Sequence, residues 1–454
     1  MYQVINPATG VLIEEFPTAT DAEVKSAIAR SDAAYRLWRE RPVEVRALAV
    51  NRAGELFRER ADELAGVVTQ EMGKRIEEAK GELRLVCSIF SYYSKNGPAL
   101  LDDELLEIKR GQAVIQKRPI GPLLGVMPWN YPYYQVARFA APNLLLGNTI
   151  LLKHAPNCPR SAALIEQIFH DAGVPEDAYT NLYATNDQVA WMLADDRIQG
   201  VSLTGSERAG AAVAAAAGQN LKKFVLELGG SDPLIVLDTS DMDGTVNAAV
   251  RARMNNNGQA CNGPKRMIIM DDIYEEFVAK LADYLSTLIP GDPADPQTTL
   301  APMSSQAAAD RLIEQIEDAV EKGASLLLGG SHVKGPGAFV EPTVLTGVKP
   351  GMRAYSEELF GPAVVIYRVE NEDEAITLAN DSAYGLGASI FTDDPVRAQR
   401  VGDRLESGML TINSAGGSQA DLPFGGVKRS GVGRELGALG IEEFMNKRIV
   451  RTSS

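Results

Sequence analysis

Histidine is nearly missing from this chain: among 454 residues only His154, His170 and His332 carry an imidazole. So few leave little material for a histidine-based triad or a zinc centre. No metal is expected, and any general base is expected to be a carboxylate. Cysteine is as scarce. Cys87, Cys158 and Cys261 lie far apart with no Cys-x-x-Cys spacing, which argues against a disulfide framework and fits a reducing, cytoplasmic setting. Positive charge is in deficit, 45 Lys and Arg against 60 Asp and Glu for a net −15. Nucleic acid is therefore not an expected partner, since phosphate binding needs clustered cations. No apolar run is long enough to span a bilayer, and Met1-Tyr2-Gln3-Val4-Ile5-Asn6-Pro7 has neither the basic nor the apolar part of a secretory signal. No membrane partner is expected. A Gly-x-x-x-x-Gly-Lys-[Ser/Thr] phosphate loop is also missing, which lowers the case for phosphoryl transfer.

What remains has the composition of a globular enzyme, 45% hydrophobic and 23% charged, and is too long for one simple core. The first hundred residues read as helix, with apolar residues at helical spacing over 21–39, 42–71 and 80–93. From residue 123 the pattern changes to strands at 123–127, 149–152, 200–204 and 224–226, with helices at 160–172 and 207–217 between them. A second alternating series follows, with strands at 234–237, 267–269, 325–328, 363–369 and 409–412. Its helices are expected at 245–256, 273–288, 305–322, 372–380 and 395–404. Alternation of this kind implies doubly wound parallel sheets. The break at Leu228-Gly229-Gly230 is a candidate domain boundary.

Several segments carry polar groups with more than one reading. Thr204-Gly205-Ser206-Glu207-Arg208-Ala209-Gly210 joins a strand to a helix, where free N–H groups suit a pyrophosphate; a tight turn needing glycine for packing fits equally. Lys153 ends another strand, either as a ribose or phosphate ligand or as a solvated charge. Gly431-Val432-Gly433 follows basic residues instead of a strand and fails the context of a dinucleotide fingerprint. Cys261 sits in the polar run Asn255-Asn256-Asn257-Gly258-Gln259-Ala260-Cys261-Asn262-Gly263-Pro264, accessible as a nucleophile or incidental. Glu227, between Leu226 and Leu228, is a surface carboxylate or a buried one whose raised pKa suits a general base. Asn130, in Pro128-Trp129-Asn130-Tyr131-Pro132, is an oxyanion donor or a turn residue.

Taken in order, Asn6-Pro7-Ala8-Thr9-Gly10, Pro128-Trp129-Asn130, Leu226-Glu227-Leu228-Gly229-Gly230, Gly258-Gln259-Ala260-Cys261, Glu357-Glu358-Leu359-Phe360-Gly361-Pro362 and Pro423-Phe424-Gly425-Gly426-Val427-Lys428 resemble the aldehyde dehydrogenase superfamily nearly end to end. The resemblance implies an α/β fold with two doubly wound parallel-sheet domains and a small β oligomerisation arm. An NAD(P)-binding domain would take 1–100 and 120–228, a catalytic domain 229–430, and the arm and tail 101–119 and 431–454. It assigns the nucleophile to Cys261, oxyanion stabilisation to Asn130 and water activation to Glu227, giving a thiohemiacetal and then a thioester. Cofactor contacts would fall to Met127, Pro128, Trp129, Lys153, His154, Pro156, Gly205, Ser206, Gly210, Leu228, Glu358 and Phe360. The cofactor would be NAD or NADP, leaning toward NAD; Pro156 stands where NAD-selective members often place a glutamate. Leu152-Lys153-His154-Ala155-Pro156-Asn157 and Glu227-Leu228-Gly229-Gly230-Ser231-Asp232-Pro233 look most like bacterial succinate-semialdehyde dehydrogenases. Arg138 and Ser418 would meet the substrate carboxylate and Tyr134 would line the tunnel. Asn255 replaces a second arginine found in some relatives, which leaves a broad aldehyde oxidase as the alternative. A homodimer or homotetramer is implied, with no nucleic-acid or membrane partner.

Overall fold

The computed structural model describes residues 1–453. Two parallel-rich sheets form its centre. Edge to edge, the first runs Gly431–Val432, Lys223–Glu227, Gly200–Thr204, Pro122–Val126, Thr149–Lys153 and Tyr179–Asn181. All its pairings are parallel except that of Gly431–Val432. The second runs Ser325–Leu328, Thr343–Thr346, Ala363–Val369, Arg266–Met270, Pro233–Val236, Gly387–Phe391 and Met409–Ile412. Only its edge strand Ser325–Leu328 is antiparallel. Strands such as Ile150, Leu151 and Leu152, or Leu234, Ile235 and Val236, are buried on both faces, as helices on both sides of a parallel sheet require. Among the described residues no helix is long and apolar enough to cross a membrane.

Strand order decides where a ligand can bind. In the first sheet the chain leaves Pro122–Val126 toward Thr149–Lys153 on one side and later returns to Gly200–Thr204 on the other. That reversal opens a crevice at the carboxyl ends of Val126 and Thr204, and Glu227 ends the next strand, paired with Thr204. Facing this edge are the amino ends of the second sheet. Cys261 lies just before Arg266–Met270, and Glu358 just before Ala363–Val369.

Several expectations change. The helix expected over 42–71 breaks at Arg60 into Val43–Glu59 and Ala61–Met72. The helix Pro132–Leu146 went unread because two prolines look like loop formers and all fifteen residues are buried, leaving no polar face to mark its period. Pro132 opens this helix, where its missing N–H is no loss. The helix expected to reach residue 256 stops at Met254. The tail expected over 431–454 also divides. Gly431–Val432 joins the first sheet, Gly437–Glu442 packs as a helix against Pro132–Leu146, and only Met445–Thr452 pairs with Gln112–Pro119. Glu104–Leu106 completes that three-stranded antiparallel sheet.

Candidate active site

The loop that carries Cys261 is built by an unusual turn. After Met254 the chain enters Asn255–Gly258, where Asn256, Asn257 and Gly258 take φ of 52°, 55° and 73°. Asparagine tolerates this left-handed region better than other non-glycine residues. Gly258 is also required sterically, since a Cβ there would lie 2.1 Å from the Gly361 carbonyl oxygen. Asn256 donates from Nδ2 to the Asn130 carbonyl at 2.9 Å, and Asn130 donates from Nδ2 to the Gln259 carbonyl at 3.0 Å. These bonds tie the Pro128-Trp129-Asn130 segment to the turn that delivers Cys261. The second N–H of the Asn130 amide is left for a ligand.

Electrostatics around Cys261 is mixed. Burial pushes its thiol up to about 11, while Arg138 and Lys265 pull it down and Glu358 and Glu227 add to the rise. Glu227 is 2% exposed and neither carboxylate oxygen has a hydrogen-bond partner among the described residues. Burial holds its carboxyl well above the usual range; Arg138 and Arg434 oppose that rise, and Glu435 and Glu443 reinforce it. An unpartnered buried carboxylate costs stability unless it serves water or substrate.

A cavity of about 580 Å³ opens onto Cys261. Cys261, Asn130, Leu228, Pro128 and Trp129 line it, as do Gly205 and Ser206 at the start of the helix Glu207–Gln219. Glu358 and Phe360 close the opposite wall, the Phe360 ring standing edge-on to Trp129 with centroids 5.7 Å apart. Its volume is in the range that takes a cofactor, and its polar groups suit a dinucleotide. Gln135, 1% exposed, lines it with both side-chain amide atoms unpartnered. Arg208 and Arg311 also line it and have no ion-pair partner among the described residues. A larger cavity of about 950 Å³ near Arg118 and Arg448 contains no thiol.

Other expected contacts stand apart from the cavity wall. Met127 is buried and donates its N–H to the Lys153 carbonyl at 3.1 Å. Lys153 is 7% exposed and has no ion pair among the described residues, and burial lowers its pKa. Pro156 is exposed. His154 lies inside the protein. Its ring is fully buried, with Nε2 bonded to the Pro132 carbonyl at 3.1 Å and Nδ1 accepting from Ala155 N–H at 2.8 Å. Burial lowers its pKa to about 4, so it is neutral at pH 7 with Nε2 carrying the proton. Gly210 packs closely, since a Cβ there would sit 2.6 Å from Leu228 Cδ2.

Arg138, expected to face the substrate carboxylate, has no side-chain exposure and is ion-paired with Glu435. Its Nη2 donates to Thr204 Oγ1 at 3.0 Å and its Nη1 approaches Tyr134 Oη at 3.4 Å. The guanidinium lies 4.7 Å from the Phe424 ring and 5.1 Å from that of Tyr134. Tyr134 Oη in turn donates to Ser418 Oγ at 2.9 Å. Arg138, Tyr134 and Ser418 are therefore together, with the hydroxyls outermost. Glu435, also bonded by Ser202 Oγ at 2.9 Å, was missed, as were Lys265 and Gln135. The pair Arg434-Glu435 inside an apolar stretch was the one sequence signal available for Glu435.

The sequence model of the aldehyde dehydrogenase family matches residues 1–450. The chain belongs to this family. Similar relatives include a succinate-semialdehyde dehydrogenase [NADP(+)] of Deinococcus radiodurans, 55% identical over 450 residues, covering 99% of this chain and 94% of that one. A succinate semialdehyde dehydrogenase [NAD(P)+] of Escherichia coli is 45% identical over 442 residues, covering 97% and 96%. Among solved structures, succinic semialdehyde dehydrogenase from Streptococcus pyogenes with NADP+ superposes with a TM-score of 0.98 at 42% identity, each chain fully covered. As an aldehyde dehydrogenase, the chain has its thiol, amide and carboxylate where two separate sheets meet.

Proposed function

We propose that this aldehyde dehydrogenase oxidises succinate semialdehyde to succinate with NADP+ or NAD+. One observation carries the chemistry: Cys261 and the unpartnered Glu227 arrive from different sheets at one junction beside the dinucleotide-sized cavity. Cys261 Sγ bonds to the aldehyde carbon, and the resulting oxyanion is met by Asn130 Nδ2 and the Cys261 N–H. A nicotinamide dinucleotide held along Gly205, Ser206 and Glu358 would supply the hydride acceptor for that carbon, and Cys261 would then carry the acyl group as a thioester. Glu227 then takes a proton from water, whose oxygen adds to the acyl carbon; the C–S bond breaks and the acid leaves.

For the cofactor, the helix start at Gly205 and Ser206 supplies N–H groups to a pyrophosphate, and Glu358 takes ribose hydroxyls. The relatives' names favour NADP+ over the lean toward NAD drawn from Pro156. Lys153, which forms no ion pair among the described residues, suits a 2′-phosphate. Succinate semialdehyde is supported by the relatives and by the Tyr134–Ser418 hydroxyl pair with Arg138 behind it. Arg138's commitment to Glu435 is the observation that favours the broader aldehyde reading. We place the domains at 1–100 with 120–228 and at 229–430, and assembly into a homodimer or homotetramer on the strand Met445–Thr452, where Ile449 and Val450 are exposed. Light scattering that gives a monomer would contradict that assembly. A reducing compartment suits an enzyme whose nucleophile must stay a free thiol.

Steady-state kinetics tests the substrate. Tyr134→Phe and Ser418→Ala should each raise KM for succinate semialdehyde about tenfold, as loss of a hydrogen bond to a charged group does, and leave an uncharged aldehyde of equal length unaffected. Equal losses on both substrates would remove the carboxylate assignment and favour the broad oxidase.

A further inference from the structure

Lys265 is buried four residues beyond the nucleophile, its side chain 2% exposed. Its ammonium donates to the Ala260 carbonyl at 2.7 Å and to the Cys261 carbonyl, and pairs with Glu358 Oε1 at 3.0 Å. These three bonds use all three of its donors. The same Glu358 oxygen accepts from Gly230 N–H at 3.2 Å, and Glu358 lines the cavity together with Cys261. Behind Lys265 stands Asp232, whose Oδ1 has no hydrogen-bond partner among the described residues. Facing Cys261 from other elements are Arg138, Glu227 and the Tyr131 and Tyr134 phenols. One buried cation thus grips the nucleophile's own peptide and, through Glu358, the wall expected to hold a ribose.

We propose that Lys265 is a positioning residue that transmits cofactor binding to Cys261. Without a dinucleotide, Glu358 neutralises the Lys265 ammonium; when ribose hydroxyls engage Glu358, more of that positive charge acts on the nearby sulfur. In a water-poor site such a change in balance alters the thiolate fraction strongly. The cation also lowers the thiol's pKa, in opposition to Glu358. This inference rests on the assignment of Glu358 to the ribose.

The test needs no aldehyde. The rate at which iodoacetamide alkylates Cys261, its sulfur displacing iodide, is followed by peptide mass spectrometry from neutral to alkaline pH. Lys265→Met should slow alkylation about tenfold near neutrality, as a one-unit rise in thiol pKa dictates, and Lys265→Arg should restore most of the rate. Added NADP+ should accelerate alkylation of the unaltered enzyme, and Glu358→Gln should act opposite to Lys265→Met, raising the rate without cofactor several-fold and removing that acceleration. A merely structural role predicts that both substitutions loosen the loop and shift the rate the same way. Changes of the same sign, or no change in either variant, overturn the proposal. Should Lys265→Met not fold, a Glu358→Gln rate at or below that of the unaltered enzyme overturns it alone. Because alkylation is independent of substrate, this result and the succinate semialdehyde kinetics fail separately.

Discussion

Glu227 illustrates how a single side chain can trade stability for chemistry. Its carboxyl is held well above the usual range by burial, so the folded protein keeps the proton at pH values where the unfolded chain has lost it. The unfolded state then binds fewer protons, and stability falls as pH rises from the ordinary carboxyl range toward the folded pKa. Glu227→Gln, which imitates the protonated acid, should therefore raise Tm, with a gain that grows from pH 5 to pH 8; a gain that shrinks with pH would contradict the burial argument. Activity should move the other way. Loss of the base should cut turnover by about 10²- to 10⁴-fold and remove the rising limb of the pH profile, while the first hydride transfer survives as a burst. Cys261, Glu227 and Asn130 each had two readings in their local sequence, and only the resemblance of the ordered motifs gave them catalytic roles. Glu435 and Lys265 went unread. Their meaning comes from partners 297 and 93 residues distant, Arg138 and Glu358, and no periodicity announces such a pairing.

At the level of elements, most parallel strands could be read because strands buried on both faces are short apolar runs between turns. Pro132–Leu146 shows where that reading fails: wholly buried, it offers no alternation, and its opening Pro132 looks like a loop. Arg138, which the resemblance sets opposite the substrate carboxylate, sits on this helix with its guanidinium against Glu435 and Thr204. The left-handed turn at Asn256, Asn257 and Gly258 was equally hidden, since three polar residues and a glycine fit many loops. Its geometry makes a demand that can be checked. Gly258→Ala would force a Cβ to 2.1 Å from the Gly361 oxygen at φ 73°. It should lower stability by about 2 kcal/mol and reduce kcat by moving Cys261 off Asn130. An unchanged Tm and kcat would show that the turn relaxes freely.

Across the whole molecule, function comes from the meeting of two sheets, one offering carboxyl ends and the other amino ends. The first brings Asn130, Gly205 and Glu227, and the second brings Cys261 and Glu358. The alternating pattern made the two sheets legible, but not the return of the chain, which sends Gly431–Val432 to the edge of the first sheet and Glu435 beneath Arg138. The central claim is that this junction makes an acyl group on Cys261 that Glu227 then releases. Intact-protein and peptide mass spectrometry of Glu227→Gln, mixed with succinate semialdehyde and NADP+, tests it most directly. A gain of one succinyl group, confined to the peptide bearing Cys261 and dependent on the cofactor, is the predicted result. No adduct under conditions where the burst is seen, or an adduct on another residue, would contradict it.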